Sequence, residues 1–241
     1  MTSIASLLSA RNTQLLSADV DMEQVFAQFE VAKRLWEDYA LFSSLRLAIE
    51  TDRTFRPRSR ESKRLVQFLL DTGLIEQIHS EKFRYSDLDA AKFLGTRGNY
   101  WLENLAFFAM MESGADETLL RQRVTWVVDG VSGTNEIDVI GRRGNVLSFV
   151  SCKAFAPKIR NTRLGKKNLW NAVMEAAYWD SHFADGDGRA VFLVSTDLVD
   201  EIAGQARFPT VTARAKVLDV DVMGLDIRAW HNLVDAFKGH W

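Results

Sequence analysis

The sequence predicts an α/β protein, with a mixed sheet built in the order helix, three strands, helix, strand and a helical region ahead of it. Three observations carry this. Residues 22–49 place Val25, Phe29, Ala32, Leu35 and Trp36 at three- and four-residue spacing, the apolar stripe of an amphipathic helix. From residue 96 onward, short runs rich in Val, Ile and Phe alternate with glycine-bearing turns. Between the third and fourth of these runs lies NLWNAVMEAAYWDSHF, residues 168–183, with helical spacing and no breaker.

In chain order, a basic, Pro-containing link (RTFRPRSR) follows the first helical stretch. ESKRLVQFLLDTGLIEQI then reads as a helix closed at Gly73, and HSEKFRYSDLDAAKFL as a polar turn followed by another helix. Helix, short extended arm, helix is compatible with a small winged-helix-like module, and equally with a plain helical subdomain. GTRGN breaks the pattern, so the expected division is a helical region over residues 1–95 and a sheet domain over 96–241. YWLENLAFFAMMESG supplies a helix. Strands are expected at 124–129, 136–140, 146–153, 190–196 and 217–222. The turns GVSGT and RRGN make the first three an antiparallel meander, and a helical crossover brings the fourth in parallel.

Composition narrows the function classes. A chain of 241 residues, 47% hydrophobic, can bury a sizeable core. Its single cysteine, Cys152, excludes an intramolecular disulfide and a cysteine-based zinc cluster, and fits a reducing cytoplasm. The N-terminal stretch lacks the apolar core of a signal peptide, and no run approaches the ~18 apolar residues of a membrane span. His79, His182, His231 and His240 have no ligand spacing. GTRGN and GDGR lack the P-loop lysine and the dinucleotide pattern.

The chemistry concentrates in EIDVIGRRGNVLSFVSCKA, residues 136–154. Alternation puts Glu136 and Asp138 on one face of a strand, and Ser151 and Lys153 on one face of the next. A buried charge exists because it is paired or because it binds something, so Asp138 and Lys153 are either a plain ion pair or a site. Glu103 lies on the preceding helix, where it can aim at Asp138. No acid falls between Asp138 and Glu175, while Arg142, Arg143, Lys153, Lys158, Arg160, Arg163, Lys166 and Lys167 all do. In a chain of net charge −2 this local excess suits a phosphate backbone, DNA or RNA, more than a solvated loop. Trp170 and Trp179, near that stretch, are core fillers or stacking faces for unpaired bases.

Glu103 on a helix, NEID with Asp138 and SCK with Lys153 together resemble the PD-(D/E)xK nuclease superfamily, whose core is restriction-endonuclease-like. GNYWLENLAFF, TNEIDVIGRRGNVLSFVSCKA and the later GKKN look most like the nuclease domain of CARF-linked CRISPR ancillary nucleases, antiviral enzymes switched on by cyclic oligoadenylate. The likeness covers roughly residues 87–200. It implies a metal-dependent endonuclease acting on DNA or RNA, often as a homodimer, with a winged-helix-like connector that fits residues 58–90. Two features depart from the family. Ser151 replaces the acid two residues before the lysine, and the helical first half leaves no room for a nucleotide-sensing Rossmann-like domain. Regulation by cyclic oligoadenylate therefore does not carry over to this chain alone, and a separate regulatory partner would have to supply any control.

The resemblance implies a hard cation, Mg²⁺ or Mn²⁺, held by oxygen ligands. Asp138 and the Cys152 main-chain carbonyl supply two, and the missing carboxylate is expected from Glu175 on the following helix, as in restriction endonucleases with a serine here, or from Glu103 or Glu136. Lys153 then orients the attacking water or stabilises charge on the phosphate, and Ser151 hydrogen-bonds a water. If no acid completes the set, the expectation becomes a degenerate nuclease fold that binds nucleic acid or scaffolds without cutting. A third reading has the basic stretch docking on an acidic protein.

Overall fold

The structure, a computed structural model, describes residues 2–96, 98–156, 163–200 and 204–241, with backbone only at 163 and 164. The chain opens with α1 (Ile4–Ser9), whose N-cap Ser3 and Ser6 exchange side-chain and backbone hydrogen bonds, and β1 (Thr13–Leu15). Neither is expected from the sequence. Next come α2 (Met22–Ala27), α3 (Phe29–Glu37) and α4 (Tyr39–Glu50), where the apolar stripe predicts one helical stretch. The breaks fall at Gln28 and Asp38, and the turns fold Val25, Leu35, Trp36 and Phe42 into one core.

The next segment corrects the sequence reading. A capping box formed by Ser59 and Ser62 starts α5 (Arg60–Asp71), and Gly73, at φ +69°, ends it. Gly73 closes the helix as expected, but the residues beyond it and the expected polar turn form a hairpin, β2 (Ile75–His79) paired antiparallel with β3 (Lys82–Tyr85), ahead of α6 (Leu88–Leu94). The order here is helix, hairpin, helix.

The helix α7 (Tyr100–Glu112) is buried from Trp101 to Met110 without a break. It runs under the meander of β4 (Glu117–Val128), β5 (Val131–Arg143) and β6 (Val146–Lys153). These strands run longer than expected because the first turn is the two-residue Asp129–Gly130, both at positive φ, as a type I′ hairpin requires. Then come α8 (Arg163–Phe183), β7 (Arg189–Val194), the small hairpin β8 (Val199–Asp200) and β9 (Gln205–Ala206), α9 (Pro209–Val217), β10 (Val220–Met223), a 3-10 turn at Leu225–Ile227, and α10 (Trp230–His240). The six-stranded sheet has the order β1-β4-β5-β6-β7-β10, antiparallel as far as β6 and parallel beyond it. It is a mixed sheet in an α/β fold, with helix, three strands, helix and strand in the expected order.

Each face of the sheet has its own core. Val139, Val150, Cys152, Val191 and Leu193 pack with α7, α10 and the N-terminal helices. Ala190, Phe192 and Val194 pack under α8 and α9, and Leu147, Phe149 and Ile140 pack with α1 and the end of α8. A Cβ at Gly141 would collide with Met110 of α7, so glycine is what allows that helix its close approach. Among the described residues no helix is long and apolar enough to cross a membrane.

Candidate active site

Strand alternation fails at one place, and the site is there. Ile137 belongs to the α8-side core and Val139 to the α7-side core, although residues two apart in a regular strand share a face. On the neighbouring strand the ladder is interrupted between the Leu120–Val139 and Gln122–Ile137 pairs, opposite Asp138. The residue in that gap is Arg121, at φ +47°. A non-glycine residue in the left-handed region costs about 1–2 kcal/mol and collects at functional sites. The β5–β6 ladder stops at Val139–Val150, so the strands part where Asp138 and Ser151 would have paired.

Into this gap Asp138 turns its carboxylate, and its Oδ2 accepts the Cys152 backbone N–H at 2.7 Å. The side chain thus satisfies a main-chain donor that the ladder abandons. Lys153, one residue on, brings its Nζ to 3.6 Å from Asp138 Oδ2 and 2.8 Å from Glu175 Oε2. Ser151 donates its hydroxyl to the same Glu175 oxygen at 2.8 Å. Strand β6 therefore presents Ser151 and Lys153 to α8, and α8 returns Glu175. The chain leaving Lys153 is held firmly, because Tyr39 donates to the Phe155 carbonyl at 2.5 Å and Phe155 N–H donates to Ser195 Oγ at 3.0 Å.

Glu103 approaches from α7. It is buried, pairs with Arg121 at 3.3 Å, and its neighbour Asn104 accepts from the same guanidinium at 2.9 Å. Arg121 also lies 4.3 Å above the Tyr100 ring. Burial, with the negative charge of Asp138 added, pushes the Glu103 carboxyl up to about 8 despite Arg121. Burial likewise raises Asp138 to about 6, opposed by Lys153 and the Cys152 N–H. Burial acts against the Lys153 ammonium, but Asp138 and Glu175 outweigh it and raise its pKa. The Cys152 thiol is buried in the α7-side core and pushed far up, so it packs and does not react.

The structure brings together Asp138, Lys153, Ser151 and Glu175, with Glu103 electrostatically linked to Asp138 and the Cys152 backbone beside its carboxylate. Glu136 is exposed and lines a cleft of about 450 Å³ with Arg121, Arg123 and Tyr100. The RRGN arginines are not brought to the site. Arg142 is buried against Asp116 (3.1 Å) and Glu117 (3.3 Å), and Arg143 is exposed at the hairpin turn, about 17 Å along the strand from Asp138 at ~3.4 Å per residue. Lys158 and Arg160 lie outside the described residues, as does the side chain of Arg163. Lys166 and Lys167 are exposed on α8. Trp179 is core, whereas Trp170 sits under the Arg214 guanidinium at 4.5 Å. Sequence reasoning missed Arg121 and Arg214, and no local pattern marks either.

Among the described residues no three His, Cys, Asp or Glu side chains already converge as a metal cage. The donor chemistry nevertheless suits a hard cation. Asp138 and Glu175 are two oxygen-donor carboxylates on either side of the Lys153 ammonium, the ligand type a hard cation takes.

No protein-family model matches the chain, and no curated protein matches it. Among solved structures, protein VC1899 from Vibrio cholerae superposes with a TM-score of 0.69 at 16% identity, over 98% of this chain and 62% of its own. Can2 from Sulfobacillus thermosulfidooxidans, in complex with cyclic tetra-adenylate, superposes with a TM-score of 0.63 at 16% identity, over 98% of this chain and 61% of its own. The chain thus spans about three fifths of the length of both. At such identity the likeness establishes the fold: nearly the whole chain shares its α/β architecture with these two proteins.

Proposed function

We propose that the chain is a metal-dependent nuclease of the PD-(D/E)xK type, hydrolysing phosphodiester bonds of DNA or RNA. One observation carries it: the Lys153 ammonium lies between the carboxylates of Asp138 and Glu175, with Ser151 bonded to the latter. In this reading the glutamate of α8, bonded to Ser151 and Lys153, takes over the role of the acid missing from position 151. The fold shared with Can2, whose complex with cyclic tetra-adenylate matches the ligand class of the resembled family, supports a place in CRISPR-linked defence. A homodimer belongs to the same proposal, with the exposed Phe26, whose ring packs on the buried Phe107 and Phe108, on its surface.

Asp138, Glu175 and the Cys152 carbonyl would hold Mg²⁺ or Mn²⁺, which supplies a more acidic water and charge neutralisation at the phosphate. Lys153 is the cation aimed at developing negative charge on the phosphate. Ser151 holds the Glu175 carboxylate in place. Glu103 carries a proton at neutral pH, which lets Asp138 keep its charge beside it.

The test is incubation with Mn²⁺ or Mg²⁺ and plasmid, single-stranded DNA or RNA, beside Asp138→Ala and Lys153→Ala. Cleavage that both substitutions abolish supports the proposal. Cleavage that survives both is contamination, and binding without cleavage under any cation replaces the enzyme with a nucleic-acid-binding protein.

A further inference from the structure

We infer that the groove between α8 and α9 holds an unpaired stretch of nucleic-acid strand. Its distance from the cut bond, given below, rests on the function proposed above. The groove encloses about 450 Å³ and is lined by Lys166, Lys167, Trp170, Thr210, Val211 and Arg214. Its charge is of one sign. No acid lines it, and Lys166, Lys167 and Arg214 make no ion pair among the described residues, whereas Arg142 is neutralised by Asp116 and Glu117. Gathering three cations with no counter-charge raises a local positive potential that a phosphate backbone relieves.

Charge alone would suit any polyanion, and the rest of the lining narrows the choice. The Arg214 guanidinium stacks on the Trp170 ring at 4.5 Å, forming a flat cationic platform. Trp170 is half-buried and packs against the α8–α9 core, so the platform is rigid. Aromatic rings and guanidinium planes are the surfaces on which splayed-out bases stack. Paired bases offer no free face to them, so an unpaired strand is the ligand class. Thr210, exposed in the first turn of α9, adds a hydroxyl of the kind that contacts phosphate oxygens.

The groove and the site share a helix. Lys167, Asn171 and Glu175 follow one another at intervals of four along α8. The eight residues from Lys167 to Glu175 span about 12 Å at ~1.5 Å each. At ~3.4 Å per stacked nucleotide this places the held strand about three to four nucleotides from the bond at Lys153.

The test is fluorescence anisotropy with the full chain in EDTA, so that binding is read without cleavage. The probes are an oligothymidylate of about twenty nucleotides, longer than the ~4–16 nucleotides one module covers, and a hairpin duplex of equal length. The single strand is expected to bind more tightly. Lys167→Gln and Arg214→Gln, both at exposed positions, should each weaken it several-fold and reduce the log–log salt slope by about 0.7. Trp170→Phe should weaken the single strand and leave the duplex unchanged, with near-ultraviolet circular dichroism confirming the fold. Equal affinity for duplex, an unchanged slope in both charge variants, or displacement of the strand by polyglutamate at matched charge each overturns the inference. A chain that cuts nothing but binds in this way refutes the proposed function and keeps the groove. A chain that cuts, with all three variants binding and cutting as the parent does, keeps the function and refutes the groove.

Discussion

Ser151 on β6 and Glu175 on α8 share a hydrogen bond of 2.8 Å, joining the sheet to the helix that covers it. Position 151 is wholly buried, so its side chain must be satisfied internally, and the glutamate of α8 does so. A carboxylate at position 151 and one at position 175 are alternative ways of bringing the same charge to Lys153. Glu175→Gln should lower cation-dependent cleavage by at least the ~10–100-fold that loss of supporting groups costs at metal sites. Ser151→Glu combined with Glu175→Ala should recover part of that rate. Initial rates with Mn²⁺ decide it, and an unchanged rate in Glu175→Gln would remove this residue from the site.

Glu103 makes stability depend on pH. Its folded carboxyl titrates near 8, against ~4.3 in an unfolded chain. Between those values the native state holds a proton that the unfolded state has released, so stability falls as pH rises. Asp138, at about 6, acts with the same sign only below that value, which leaves pH 6 to 8 to Glu103. Urea midpoints of the parent should fall across this window, and those of Glu103→Gln should stay flat.

The C-terminal helix is fastened by a chain of hydrogen bonds that runs from buried Ser148 and His240 to exposed Asp221. Ser148 Oγ lies 2.8 Å from His240 Nε2, and His240 Nδ1 lies 2.6 Å from Asp221 Oδ2. The connectivity is that of a hydrolytic triad, but Ser148 is wholly buried in mid-strand, where no substrate reaches it. His240→Ala should therefore destabilise the fold by about 1–3 kcal/mol, the penalty of leaving the buried Ser148 hydroxyl unsatisfied, and leave cleavage intact. The hydrogen bond from His240 holds the Asp221 carboxyl below its ordinary value. Its contribution is present above ~3.9 and is lost as pH falls through the lower folded value, so His240→Ala should also flatten the acid limb of urea unfolding.

Gly141 sets the distance between β5 and α7, and through it the position of Glu103. Gly141→Ala drives a methyl group into Met110 and should cost about 1–3 kcal/mol as overpacking, measured by thermal unfolding.

Much of this architecture was legible in the sequence because it rests on periodicity. The meander, the crossover helix and the parallel fourth strand follow from runs of Val, Ile and Phe, glycine-bearing turns and an unbroken helical run, although the first turn is Asp129–Gly130 and not the whole of GVSGT. Glu175 was legible because no other acid precedes it between Asp138 and α8. The hairpin of β2 and β3 was not legible because IEQIH and KFRY are short and polar, and only their pairing makes the expected polar turn a pair of strands. The charge run misplaced Arg142 because Asp116 and Glu117, remote in sequence, fold against it across the β4–β5 ladder. Arg121 was invisible, since nothing local marks a non-glycine residue that will adopt positive φ. That break in alternation is what turns Asp138 into the gap between strands, and a strict two-residue period cannot foresee it.

The most direct measurement is anomalous scattering from crystals of the chain soaked in Mn²⁺. A peak is expected about 2.0–2.2 Å from carboxylate oxygens of both Asp138 and Glu175, with Lys153 withdrawn toward the side where a phosphate would lie. A peak held elsewhere, or none at saturating Mn²⁺ with Lys153 still spanning the two carboxylates, would contradict the proposed function.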